Sequence, residues 1–171
     1  MKKTLVLLIL LSGSGLMPAR AAEPAKPAIF ESAASLKAKA QNLNVEARAS
    51  STGVATATLQ SFPNYRALLS VRVRNGQAEY HEHWSDVFVV LKGSCILETG
   101  GTIRDMKAIA DGEYVGASIQ GGAKQVLKEG DTFYIPPRTP HQAFPLRSGL
   151  GHSRSFVIYV VKVPETKPAQ P

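Results

Sequence analysis

This chain of 171 residues has one cysteine, one tryptophan and only 7% aromatic residues. A lone thiol, Cys95, cannot close an internal disulfide, so a small cross-linked scaffold is excluded and the fold must rest on its core. Cys95 lies in an apolar, strand-like run and reads as a buried, inert thiol. No apolar run approaches the about 20 residues of a bilayer-spanning helix, since Leu5 to Leu11 spans only seven. That excludes a stable membrane anchor. A glycine-rich nucleotide loop, a Gly-x-Ser-x-Gly elbow and a zinc-protease helix are also missing. With 14 Gly and 11 Pro punctuating mostly the second half, a long helical bundle is a poor fit, and so is a collagen-like or wholly disordered chain.

The formal charge is +7, which on its own suggests a polyanionic partner. Its distribution argues otherwise. Lys2 and Lys3, the apolar run and Ala19-Arg20-Ala21 follow the three-part layout of a secretory leader, residues 1–21. Export to the periplasm or the medium is therefore expected. Cleavage after Ala21 leaves 150 residues with 17 basic and 13 acidic side chains. The remaining lysines and arginines are scattered, without runs of three or interleaved aromatics, so no nucleic acid is expected as partner.

Residues 22–31 read as a flexible Pro/Ala-rich lead-in. Ala33, Leu36, Ala40 and Leu43 recur at helical spacing behind Ser32, a capping residue, so residues 32–53 are expected to hold a short helix and a connector. Beyond Asn44 the pattern changes to period two. Strands are expected at Val54–Gln60, Leu69–Val73, Glu79–His83, Val87–Leu91, Ser94–Thr99, Thr132–Ile135, Gln142–Phe144 and Arg154–Val163. Arg72 and Arg74 alternate with apolar residues and read as a solvated strand face, and Asn75-Gly76 marks a tight turn. Gly100 to Lys124 reads as a loop or hairpin over one edge. The sum is an all-β sandwich or small barrel over residues 54–163, with a proline-rich disordered tail at 164–171.

Four histidines stand out. His81 and His83 are two apart, so an extended strand points both imidazoles to one face. A turn at Trp84-Ser85 would bring Asp86 beside them, and His141 follows the stiff segment Pro136-Pro137-Arg138-Thr139-Pro140. Imidazoles gathered inside a barrel need partners, and one shared cation satisfies them all. Glu79 has the same parity as His81 and is a candidate base or rim residue. His152 reads as a loop histidine.

These segments resemble the two motifs of the cupin superfamily. The first is a Gly, a His-x-His, three or four residues, a Glu, six residues and a Gly. Here it runs Gly76, four residues, His81-Glu82-His83, Trp84-Ser85, Asp86, six residues, Gly93. The second runs Gly130, five residues, Pro136-Pro137-Arg138-Thr139-Pro140-His141. Asp86 replaces the glutamate and comes early, Arg138 replaces a glycine, and Pro145 stands where an asparagine is common.

The resemblance implies a single cupin jelly-roll barrel with a short N-terminal helix. It implies a divalent transition metal (Fe, Mn, Ni, Cu or Zn) held by His81, His83, Asp86 and His141, and pairing as a homodimer. The function implied is a metal-dependent enzyme on a small organic molecule, with dioxygenase chemistry first and isomerase or lyase chemistry next. The alternative is a non-catalytic exported protein that binds a small ligand or a metal.

Overall fold

The computed structural model describes residues 28–146 and 155–165. The expected leader 1–21, His152 and the chain beyond 165 lie outside the described residues. Two compact units divide the chain, Met1–Phe30 and Glu31–Pro171. Of the first, only residues 28–30 are described, and they carry no helix or strand. Among the described residues no helix is long and apolar enough to cross a membrane.

The described residues of the second unit form one helix followed by thirteen strands. The helix, α1 (Ala33–Ala49), starts where expected, with Ser32 Oγ accepting from the Ser35 N–H at 3.1 Å. It ends six residues beyond Leu43 because Ala47 extends the apolar stripe and is fully buried. The strands are β1 (Val54–Phe62), β2 (Tyr65–Arg72), β3 (Ala78–His81), β4 (Trp84–Lys92), β5 (Ser94–Thr99), β6 (Thr102–Arg104), β7 (Lys107–Ala110), β8 (Glu113–Gly116), β9 (Ser118–Gln120), β10 (Ala123–Lys128), β11 (Thr132–Ile135), β12 (His141–Pro145) and β13 (Phe156–Pro164).

They form a five-stranded sheet in the order β1-β2-β13-β4-β11 and a six-stranded sheet in the order β10-β5-β12-β3-β8-β7, with β6 and β9 as a separate pair. The strand pairs are antiparallel, and the chain passes repeatedly from one sheet to the other, as in a jelly roll. Asn75-Gly76 lies in such a crossing, between β2 and β3, instead of closing a hairpin.

The main core fills the space between the sheets at one end. Phe88, Val90, Ile135, Phe156, Ile158 and Val160 come from the five-stranded sheet, and Cys95, Leu97, Leu127 and Ala143 from the six-stranded one. The apolar side chains of leucine, isoleucine or phenylalanine size contribute about 1.5–3 kcal/mol each when fully buried. A second cluster lies outside the barrel, where Leu43 and Ala47 of α1 cover Leu69, Val71 and Val157.

That second cluster overturns the reading of Arg72 as solvated. The helix covers the Leu69/Val71 face of β2, so the opposite face, with Ser70 and Arg72, turns into the barrel. Arg72 is only 7% exposed. Arg74, two residues further in the β2–β3 connection, is exposed as expected.

Of the two expectations for Gly100–Lys124, a loop or a hairpin over one edge, the hairpin is what forms, with β7 and β8 paired at the edge of the six-stranded sheet. The segment supplies β6 to β9, of which β8 pairs with β3 and extends the six-stranded sheet. Pro164, expected to open the proline-rich tail, instead pairs with Trp84, and the Glu165 N–H donates to the His83 carbonyl at 2.8 Å.

Candidate metal centre

Three pairs of directly opposed residues on neighbouring strands converge at the other end of the barrel. Glu79 on β3 faces His141 on β12, His81 on β3 faces Glu113 on β8, and Asp86 on β4 faces Lys162 on β13. The first two pairs belong to the six-stranded sheet and the third to the five-stranded one, so the cluster bridges the sheets. Glu79 and His81 are two residues apart on one strand and therefore share a face.

Partners at Nδ1 set each imidazole's orientation. His141 Nδ1 lies 3.0 Å from the Thr139 carbonyl, which can only accept, so Nδ1 carries the hydrogen and Nε2 faces the cluster. That Nε2 is buried and makes no hydrogen bond. His81 Nδ1 lies 2.5 Å from Glu113 Oε2, and its Nε2 lies 2.9 Å from Lys162 Nζ. Asp86 Oδ2 stands between the rings, 3.4 Å from His81 Nε2 and 3.5 Å from His141 Nε2. Asp86 Oδ1 is 3.3 Å from Lys162 Nζ and is another buried atom without a hydrogen bond.

Arg72 fixes Glu79, donating from Nη2 to Oε1 at 2.7 Å. Oε2 then lies 3.9 Å from His81 Nε2. The guanidinium has room because residue 76 is glycine: a Cβ there would stand 2.1 Å from Arg72 Nη1. The backbone of the β3–β4 turn is tied down at His81, whose carbonyl accepts from the Arg138 N–H at 2.7 Å. Arg138 adopts φ 60°, so the left-handed turn expected of a glycine persists with arginine in its place.

Charge in the cluster is strongly coupled. Burial opposes the Asp86 carboxylate, yet the His141 and His81 imidazoles and the Lys162 ammonium hold its carboxyl far below the ordinary range. Burial likewise opposes the Glu79 carboxylate, and Arg72 with the two imidazoles outweighs it, so this pKa is also lowered. For His81, burial opposes the cation, but hydrogen bonding to Asp86 and Glu113 raises the pKa to about 9.

The sequence-predicted ligands divide unequally. His81, Asp86 and His141 come together, while His83 does not. The chain bends at Glu82-His83, two residues earlier than the expected Trp84-Ser85, because β4 already starts at Trp84. His83 therefore leaves the strand parity that would have aimed it inward. Its side chain is half exposed and packs beside Gly112 at the rim.

Glu79 takes the place expected of His83: one atom each from Glu79, His81 and His141 lies within 4.8 Å of the others. Asp86 coming early was the available signal. Counting back four residues from Asp86, with six to Gly93, makes His81 the second member of the first motif and Glu79 the first. Glu113, Lys162 and Arg72 were missed. Lys162 could have been found from its parity with Phe156, Ile158 and Val160, which puts a charge on an otherwise apolar inward face.

Two imidazole nitrogens and a carboxylate are a donor set that suits a divalent transition metal. His141 Nε2, buried without a hydrogen bond, is an atom such an ion would satisfy. The residues present thus fit a metal ion. A cavity of about 470 Å³ opens beside them, lined by Arg72, Glu79, His81, Glu113, Tyr114 and Lys162 among others. Another of about 500 Å³ lies against α1 on the outer face of the barrel, away from these groups.

No curated protein sequence matches the chain. Similar solved structures include KdgF from a Halomonas species, at 20% identity and TM-score 0.44, with 64% of this chain and 78% of that one covered. The cupin domain of Schizosaccharomyces pombe Cnp3 is similar at 11% identity and TM-score 0.46, covering 66% of this chain and 61% of that one. The dimethylsulfoniopropionate (DMSP) lyase DddQ from Ruegeria pomeroyi is similar at 14% identity and TM-score 0.44, covering 68% and 49%. A family model described as the JmjC domain matches residues 57–162, from β1 to the lysine of the cluster. The match spans more than half of the chain, which therefore belongs to the JmjC domain family, with a barrel of the cupin type.

Proposed function

We propose that this chain is an exported metal-dependent enzyme acting on a small organic molecule, with Glu79, His81 and His141 as the metal-holding residues. The observation that carries this reading is the convergence of one ligand atom each from Glu79, His81 and His141 within 4.8 Å, beside a cavity of about 470 Å³. The leader-like composition of residues 1–21 supports export.

The protein's own groups have separable tasks in this scheme. Arg72 holds Glu79 through one oxygen and leaves the other facing His81. Glu113 and the Thr139 carbonyl fix the ring orientations of His81 and His141, as partners of metal-bound histidines do. Asp86 completes the negative charge of the site and accepts from whichever imidazole carries a proton. The substrate fits the cavity, where Tyr114 and the apolar Ile109 and Val115 lie beside the charged groups. A bound ion supplies Lewis acidity or, with a redox-active metal, the electron transfer that dioxygenase chemistry requires.

Metal analysis tests the assignment. Wild type and His83→Ala are expected to retain one ion per chain after desalting, and His141→Ala to lose it. Loss in His83→Ala together with retention in His141→Ala would overturn it. Oxygen uptake with phenolic and thiol substrates then separates the enzyme from its alternative. Full metal loading without turnover assigns a non-catalytic binding protein.

A further inference from the structure

We propose that Lys162 and the metal ion occupy the same place in turn: the lysine amine is the cluster's built-in cation, and metal entry displaces it. This rests on the metal-site reading above.

Lys162 ends the inward-facing row Phe156, Ile158, Val160 and Lys162 on β13, and only 8% of it is exposed. A buried ammonium is tolerated only with close partners. Here Asp86 Oδ1 at 3.3 Å supplies the opposite charge, and His81 Nε2 lies 2.9 Å away, where it can accept from the ammonium only while that nitrogen is unprotonated. The second partner is informative. His81 Nδ1 is engaged by Glu113, so Nε2 is the one nitrogen His81 can offer to an ion. A metal–imidazole bond is about 2.0–2.1 Å long, and Nζ already stands within hydrogen-bond reach of that atom. Whichever of the two nitrogens carries the shared hydrogen, one lone pair cannot serve both the amine and a metal.

Charge gives the same answer. Glu79 is neutralised by Arg72, whereas Asp86 has Lys162 as its opposed partner across the strands. A divalent ion brings new positive charge to the same carboxylate, so the ammonium becomes redundant and repelled. It also has somewhere to go. The lysine stem is four carbons long and freely jointed, and Lys162 itself lines the cavity of about 470 Å³. The cluster is thus satisfied in two ways, by an internal amine or by an ion, and the amine keeps the metal-free barrel from carrying uncompensated carboxylates.

The test uses zinc and cobalt(II) with the full chain after chelation. Calorimetric titration of Lys162→Met is expected to give about tenfold or tighter zinc binding than wild type, because the competing cation is gone. Reductive methylation of wild type, read by mass spectrometry of peptides, is expected to label Lys162 only in the zinc-loaded protein. This second arm needs no variant, so a poorly folding Lys162→Met leaves it intact. Equal affinities in wild type and variant, or a Lys162 that stays unlabelled in zinc-loaded protein, would overturn the exchange while leaving the metal site standing. If neither protein binds zinc or shifts the cobalt(II) absorption, both fall together.

Discussion

The barrel interior has an apolar half and a polar end, and β13 runs through both. Phe156, Ile158 and Val160 sit in a packed cluster drawn from both sheets, whereas Lys162, on the same face, meets Asp86 and His81. In the first half removal from water supplies the stability, and neighbours are interchangeable if volume is kept. At the second end each group depends on particular partners, and several buried atoms make no hydrogen bond. The one strand therefore divides its residues between holding the sheets together and furnishing a site, as expected where function departs from local folding rules.

The sharpest way to break the comparison is to attack the apolar half alone. Phe156→Ala removes a side chain with no exposed surface and is expected to cost about 3–5 kcal/mol in urea unfolding. Metal stoichiometry of the fraction that stays folded should not change. An equal loss of metal would show that the two halves are not separable.

A smaller effect is expected at the polar end. Asp86→Asn leaves the shape intact but removes the charge facing Lys162 and both imidazoles, at a cost of about 3 kcal/mol at pH 7 in the metal-free protein. The folded Asp86 carboxyl is held below its ordinary value of 3.8. Its stabilising contribution is therefore complete above that pH and is lost as pH falls below it. Urea unfolding at a series of pH values should show the gap between wild type and variant narrowing below pH 3.8. A gap independent of pH would mean the loss came from packing.

The smallest effect concerns Cys95, which belongs to the apolar half. Burial raises its thiol to about 11, so the native protein should react with a disulfide reagent at pH 8 only at its unfolding rate. Rapid labelling of native protein would place Cys95 outside the packed region.

Much of this was legible in the sequence. Period-two patterning and the Gly/Pro punctuation marked eight strands, and Ser32 marked the helix start. Arg72 misled because alternation identifies two faces without saying which is covered, and α1 covers the one that looked like the core. His83 misled because strand parity holds only while the strand lasts, and the chain bends at Glu82-His83. Glu113 was out of reach. It lies in a glycine-punctuated stretch whose pairing with β3 depends on contacts more than thirty residues apart.

The three opposed pairs carry a consequence for how this centre tolerates change. The spacing of Glu79 and His141, of His81 and Glu113, and of Asp86 and Lys162 is set by the distance between adjacent antiparallel strands. The connecting segments add only local supports, the Thr139 carbonyl on His141, the Arg138 N–H on the His81 carbonyl and Gly76 beside Arg72. Insertions in connections without such a support can lengthen or reshape the mouth of the barrel while the six side chains keep their places. A shift of one residue in any of the pairings, by contrast, turns a whole strand inside out and disperses its contribution at once. The centre is heritable as a unit of sheet register, and a barrel with the same alignment could receive it by transplanting the six residues together with Arg72 and Gly76.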